Sequence, residues 1–199
     1  MFRPPADHWT RAVARQCAAC RSVDRSGPLE YSGATRDLVL DLKYRGRQSV
    51  ARLLAAELVR TIHDDHGVEH GFELVTWAPT SDRRRRRRGY DQAQTIARHV
   101  ARSLGLPCRR LLFRSDVAPQ TGRDRRSRLL GPVFQARPSL RSRRVLVIDD
   151  VVTTGATLRA AAHALTVAGW NDVVTVAAVA TPVQEDRPVR SRTRRIAGD

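Results

Sequence analysis

The sequence predicts an α/β fold, a mostly parallel sheet flanked by helices, with a short, degenerate cysteine-containing segment ahead of it. Two observations carry this expectation. Val145 to Ile148 is an apolar, largely β-branched run of the kind found in strands buried on both faces, and Glu73–Ala78 and Asp172–Ala180 read as further strands. The first two runs are each followed, after a polar turn, by a stretch of helical periodicity, the order that builds parallel sheets.

At 199 residues the chain is expected to form one domain with a substantial core and a small appendage. The expected division is an N-terminal segment over residues 1–30, the α/β domain over 31–181, and a disordered, Arg-rich tail over 182–199. Cys17-Ala-Ala-Cys20 has the spacing of half a zinc ribbon, yet a structural site takes four ligands and no second Cys-x-x-Cys exists. Only His8 and Cys108 could complete it, so unmetallated thiols are the expectation and zinc at Cys17 and Cys20 the alternative. Three cysteines are too few for a disulfide framework and suit a reducing compartment. No apolar run approaches the roughly 20 residues of a membrane span, and the N-terminus has no signal-peptide core, so a cytoplasmic location is expected.

Leu38, Val39 and Leu42 recur at helical spacing between Thr35 and Tyr44, and Gly46 marks the stop. A second helix is expected from Gln48 to Ile62, with Val50, Leu53, Leu54, Leu58 and Ile62 inward. The run His63-Asp-Asp-His66-Gly-Val-Glu-His70 fits no common metal spacing and reads as a solvated loop. Pro79 closes the Glu73–Ala78 strand. Six consecutive arginines, Arg83 to Arg88, then lead into a helix that ends at Leu104 and buries Ala93, Ile96, Ala97 and Val100. Such a run is ordinarily a solvated face or a nucleic-acid patch, but between a strand and a helix it can aim guanidinium groups at a polyphosphate. From Cys108 to Phe134 the chain is basic and weakly periodic; a loop is expected, with a short helix near Asp124–Leu130 and the capacity to act as a lid.

The chemistry concentrates after Val145–Ile148. Asp149 and Asp150 stand where that strand should end, followed by Thr153-Thr154-Gly155-Ala156-Thr157 and a helix with Leu158, Ala161, Ala162 and Leu165 on one face. A Gly/Thr-rich turn lets backbone N–H groups converge at a helix N-terminus, which suits a phosphate. The acid pair suits neighbouring hydroxyls, or Mg²⁺ held through water. Phosphate and diol together describe a ribose 5-phosphate at the carboxyl end of a parallel strand. No lysine follows Gly155, which excludes a Walker A loop, and fewer than about fifty residues remain, too few for a response-regulator receiver.

The net charge of +16 invites a nucleic-acid reading. Nearly all the cations are Arg, however, which a GC-biased coding sequence would produce on any exposed surface. No aromatic residue interleaves with the Arg run as a stacking platform for single strands would require.

Taken in order, Cys17-x-x-Cys20, Leu42-Lys-Tyr-x-Gly46, Ala78-Pro79, Arg88-Gly-Tyr-Asp-Gln-Ala93, Gln120-x-x-x-x-x-Arg126 and the acidic motif resemble the ComF family of type I phosphoribosyltransferase-like proteins, also called the GntX group, over roughly residues 15–181. The resemblance implies a site for phosphoribosyl pyrophosphate (PRPP) with Mg²⁺. Asp149 and Asp150 would contact the ribose and the metal, Thr153, Thr154, Gly155, Ala156 and Thr157 would wrap the 5-phosphate, and Val151 and Val152 would also line the ligand. The Pro79–Gly89 turn, with Arg87, Arg88 and Gly89, would bind pyrophosphate, and the stretch around Gln120–Arg126 would be the catalytic loop, with Arg126 at the ligand. The chain departs from the family where Tyr90 and Asp91 replace Phe and Asn, where Leu129 replaces Asn, and in carrying one Cys-x-x-Cys pair instead of two. Two functions follow from the resemblance. One is phosphoribosyl transfer to a nitrogenous acceptor. The other is a competence or DNA-uptake role on single-stranded DNA, or beside a DNA-uptake helicase or other competence partner, with the PRPP site regulatory or vestigial. A purely structural role would leave the acid pair and the hydroxyl turn without a purpose.

Overall fold

A computed structural model describes residues 28–67, 71–115, 132–139 and 143–181. The calls on Cys17, Cys20, Gln120–Arg126, the Asp124–Leu130 helix and the tail lie outside these residues.

Four parallel strands form the central sheet in the order β1 (Leu29–Glu30), β6 (Asp172–Ala180), β5 (Arg144–Val152), β2 (Leu74–Trp77). The register places Val145 beside Leu74 on one side and beside Val173 on the other, and Ile148 beside Trp77 and Val176. Val145, Leu146, Val147 and Ile148 are all fully buried, as their composition predicts. Leu146 and Ile148 pack into a layer with residues of α1 (Gly33–Arg45), α2 (Gln48–His66) and α4 (Gln92–Ser103). Val145 and Val147 pack into the opposite layer, with α5 (Ala156–Val167) and a small antiparallel pair, β3 (Leu112–Arg114) and β4 (Phe134–Ala136).

Several elements differ from the sequence reading. β5 continues through the acid pair to Val152, because its backbone ladder with β6 persists to Val152–Ala180 whatever the side chains are. Helix α2 continues through His63, Asp64, Asp65 and His66, ending at Gly67, whose N–H donates to the His63 carbonyl at 2.8 Å. The two histidines lie in the last turn, where the helix dipole favours cations, so the expected loop there is corrected to helix. Leu53, expected inward, is 48% exposed, while Ala51, Leu54, Ala55, Leu58 and Ile62 make the buried stripe. The Arg run is also helical. In α3 (Asp82–Arg88) the Ser81 hydroxyl accepts from the Arg84 N–H, Asp82 pairs with Arg85 at 2.9 Å, and Gly89 stops the helix at φ +80°. Arginine is a good helix former, and those caps settle the conformation. Within the segment expected to be loop, Cys108 bridges to Val75, and β3 and β4 pair across the second layer. These three-residue strands are too short to show a period.

The turn from α5 to β6 is fixed by segment 137–139. Trp170 donates its indole N–H to the Arg137 carbonyl (2.8 Å), and the Ser139 N–H donates to the Ala168 carbonyl (2.8 Å). Gly169 has φ +89°, and a Cβ there would stand 2.7 Å from the Ser139 carbonyl oxygen. Gly169→Ala is therefore expected to destabilise the fold by about 1–3 kcal/mol. An unchanged urea midpoint would show that the strap yields freely.

Candidate functional site

β5 and β2 are neighbours and point the same way, but the helices that follow them pack on opposite faces, α5 on one and α4 on the other. Such a divergence opens a crevice at the carboxyl edge of a parallel sheet. A cavity of about 210 Å³ lies there, lined by Pro79, Thr80, Arg84, Arg88, Gln92, Asp149 and Asp150 among others. A smaller hollow of about 30 Å³ is lined by Asp149 and residues Val151–Leu158. Asp149, Val151, Thr153 and Thr157 line both, so the two spaces adjoin across a shared wall.

Each wall has a local cause. Asp149 is 7% exposed, and its Oδ1 accepts the Asp150 backbone N–H at 2.8 Å. Burial, reinforced by the adjacent Asp150 carboxylate, pushes the Asp149 carboxyl well above the usual range. Asp150 is more open and meets the Lys43 Nζ of α1 at 3.4 Å. Gly155 adopts φ +73° to begin α5, and the Thr154 hydroxyl accepts the Ala156 N–H, shaping a hydroxyl-lined helix start.

Asp91 organises the opposite wall. One carboxylate oxygen accepts the Thr80 N–H (2.9 Å), and the other caps α4 through the Gln94 N–H (3.3 Å), so the turn after β2 is tied to the start of α4. Burial raises the pKa of Asp91 against the lowering effect of those two N–H groups. An Asn would also supply an acceptor here but only one oxygen; the charged residue therefore serves the backbone on both sides. Arg84 and Arg88, four apart on α3, both line the crevice. Arg88 donates to the Gln92 Oε1 at 3.0 Å, while the Arg88 Nε and Gln92 Nε2 are buried donors with no acceptor among the described residues. The guanidinium-bearing residues Arg84 and Arg88 on this wall suit an oxygen-rich anionic ligand.

The expected site residues separate on this geometry. Asp149, Asp150, Val151, Thr153, Thr157 and Arg88 line the crevice, and Val152, Thr154, Gly155 and Ala156 line the hollow. Arg87 and Gly89 are exposed and line neither space, because the helical turn of α3 directs Arg84 and Arg88 inward instead. Arg126, Cys17 and Cys20 lie outside the described residues. Cys108 is partly buried against the core, and burial raises its thiol pKa. Lys43, Asp91, Gln92 and Arg114 line the crevice but were not anticipated as ligand-facing, and Arg84 lines it from within the arginine run expected at pyrophosphate without having been singled out. The signal for Arg84 was available: Ser81-Asp82 is a helix start, and a helical Arg run pairs residue 84 with 88. No group of three or more His, Cys, Asp or Glu suited to a metal exists among the described residues. Two carboxylates with space for ligand oxygens and water nevertheless fit Mg²⁺ arriving with a phosphate, the usual mode for that ion.

The phosphoribosyl transferase domain matches residues 86–196, more than half of the chain, and the chain belongs to that family. It is also similar to competence protein ComFC of Bacillus subtilis (strain 168), with 28% identity over 173 residues, covering 82% of this chain and 68% of the relative. Among solved structures, it resembles a purine phosphoribosyltransferase from Pyrococcus horikoshii Ot3 with a TM-score of 0.41, 14% identity, and coverage of 64% of this chain and 70% of the other. A Trypanosoma cruzi hypoxanthine phosphoribosyl transferase also has a TM-score of 0.41, with 18% identity and coverage of 65% and 64%.

The raised pKa of Asp149 has a stability consequence. The native state keeps this proton to higher pH than the unfolded chain, so the contribution of Asp149 is full below its ordinary value of 3.8 and is lost as pH rises through the raised native value. Asp149→Asn removes that loss and keeps the acceptor oxygen. The stability of the variant relative to the parent, from urea unfolding, is expected to grow as pH rises above about 4 and to level off once the native carboxyl has ionised. A difference that stays constant with pH would contradict the burial of this carboxyl.

Proposed function

We propose that the chain binds PRPP, or a ribose 5-phosphate, in this crevice and transfers the phosphoribosyl group to a nitrogenous acceptor. The observation that carries this reading is that crevice and hollow adjoin, sharing Asp149, Val151, Thr153 and Thr157. It sets an acid pair between a hydroxyl-lined helix start and a cluster of cations. The turn at Thr153–Thr157 suits the 5-phosphate, the acid pair suits the ribose hydroxyls, and Arg84 with Arg88 suits pyrophosphate.

In the transfer, the bond from the ribose C1 to a pyrophosphate oxygen breaks and its electron pair leaves on pyrophosphate. The acceptor nitrogen's lone pair forms the new bond to C1, and its proton passes to solvent. Arg84 and Arg88 stabilise the charge that develops on the leaving oxygens, and the carboxylates favour positive character at the ribose ring. No side chain acts as a covalent nucleophile. Asp149 and Asp150 would hold Mg²⁺ through water, and that ion would neutralise further pyrophosphate charge.

A second reading rests on α3. Arg83, Arg86 and Arg87 are exposed and form no ion pair among the described residues, which leaves a cationic face turned away from the crevice. With the likeness to a competence protein, that face favours contact with single-stranded DNA. If so, the affinity for an oligonucleotide falls steeply with salt, and a flat response would remove this reading.

Calorimetric titration with PRPP and Mg²⁺ tests the first reading. Saturable binding is expected for the parent chain, weakened about a hundredfold or more in the Asp149→Asn, Asp150→Asn double variant. Absence of binding by the folded parent would refute the PRPP site.

A further inference from the structure

Lys43 is the single lysine among 36 basic residues. Every other cation in the chain is arginine, yet the crevice holds this one ammonium, 3.4 Å from Asp150 and about a quarter exposed. It comes from α1, ahead of the segment that matches the phosphoribosyl transferase domain. The end of α1 is held firmly against the site. Asp41 accepts from Arg45 (2.7 Å) and Arg47 (2.8 Å) across the α1–α2 turn. Gly46, at φ +60°, lies against the Tyr90 ring, and the Arg88 guanidinium sits 5.6 Å from the centre of the Tyr44 ring. Lys43 therefore reaches the crevice from a fixed base.

The chemical difference between the two cations matters here. An arginine beside Asp150 would lock onto the carboxylate with a planar two-pronged fork. An ammonium has three rotatable donors on a flexible stem, and can leave one acceptor for another without moving the helix. Lys43 lines the crevice with Arg84 and Arg88, and does not line the hollow at Thr153–Thr157.

Resting on the PRPP reading, we propose that Lys43 is a binding residue for the pyrophosphate part of the ligand, and that its ion pair with Asp150 is exchanged for pyrophosphate oxygens when the ligand enters. The exchange frees Asp150 for the ribose hydroxyls. Without ligand, the pair supplies a counter-charge beside the two adjacent acids, Asp149 and Asp150.

The test uses the full chain and two simple probes, inorganic pyrophosphate and ribose 5-phosphate, each titrated without Mg²⁺, with PRPP and Mg²⁺ on the parent as reference. Lys43→Met is expected to weaken pyrophosphate about tenfold or more and to change ribose 5-phosphate by less than about twofold. Its unfolding temperature should stay near that of the parent, since partly exposed pairs contribute little to stability. Asp150→Asn releases Lys43 and is expected to strengthen pyrophosphate binding by a few-fold. Lys43→Arg should bind pyrophosphate more weakly than the parent, because the fork remains on Asp150. Loss of both probes together in Lys43→Met would make Lys43 a structural residue and overturn the proposal. So would unchanged pyrophosphate binding in Lys43→Met, or weakened pyrophosphate binding in Asp150→Asn. If the parent binds PRPP and these variants fail, the PRPP reading stands without this role for Lys43. If the parent binds none of the three ligands, both fall.

Discussion

Val145, Leu146, Val147 and Ile148 have no measurable exposure, and a strand without a solvent face is stable only with a packed layer on each side. This double burial is the constraint on which the remaining architecture depends. It requires helices on both faces of the sheet, and so forces neighbouring strands somewhere in the order to send their helices opposite ways. That place is between β5 and β2, and the crevice is its direct result. The acid pair lies at the carboxyl end of the same strand, so the strand that organises the core also delivers the chemistry.

Delivering carboxylates from a buried strand has a cost. Desolvation disfavours the charged form of Asp149, and a neighbouring Asp150 adds repulsion. The structure offsets part of this with nearby donors: the Asp150 N–H on Asp149 and the Lys43 ammonium on Asp150. The opposite wall follows a similar logic, with Asp91 buried but accepting from two backbone N–H groups. The crevice is thus an arrangement of partly compensated charges, less stable by itself than an apolar filling but suited to an anionic ligand.

The arginine run shows how composition and conformation divide the work. Six identical side chains carry no information about which of them serve a site. The helical turn separates them: Arg84 and Arg88 face the crevice, Arg85 pairs with Asp82, and Arg87 is exposed to solvent. A reading that treated the run as a turn named Arg87 and Arg88, of which only Arg88 lines the crevice, and did not single out Arg84. The same limit applied at His63–His66, where polar composition suggested a loop, although the helix simply continues in register with Leu58 and Ile62.

By itself the amino-acid order determined the α/β class, the buried strand, the acid pair, the hydroxyl turn and the amphipathic helix behind it. These are local features, written as apolar runs, 3.6-residue spacing and turn chemistry over a few consecutive positions. The tertiary structure alone decided which distant residues share the crevice. Lys43 reaches Asp150 across 107 positions, and Asp91 ties Thr80 to Gln94, because separate elements are packed around one strand. The pairings of β1 with β6 and of β3 with β4 belong to the same category. Strands of two or three residues leave no periodic trace, and they exist only because longer neighbours present an edge or a layer to complete.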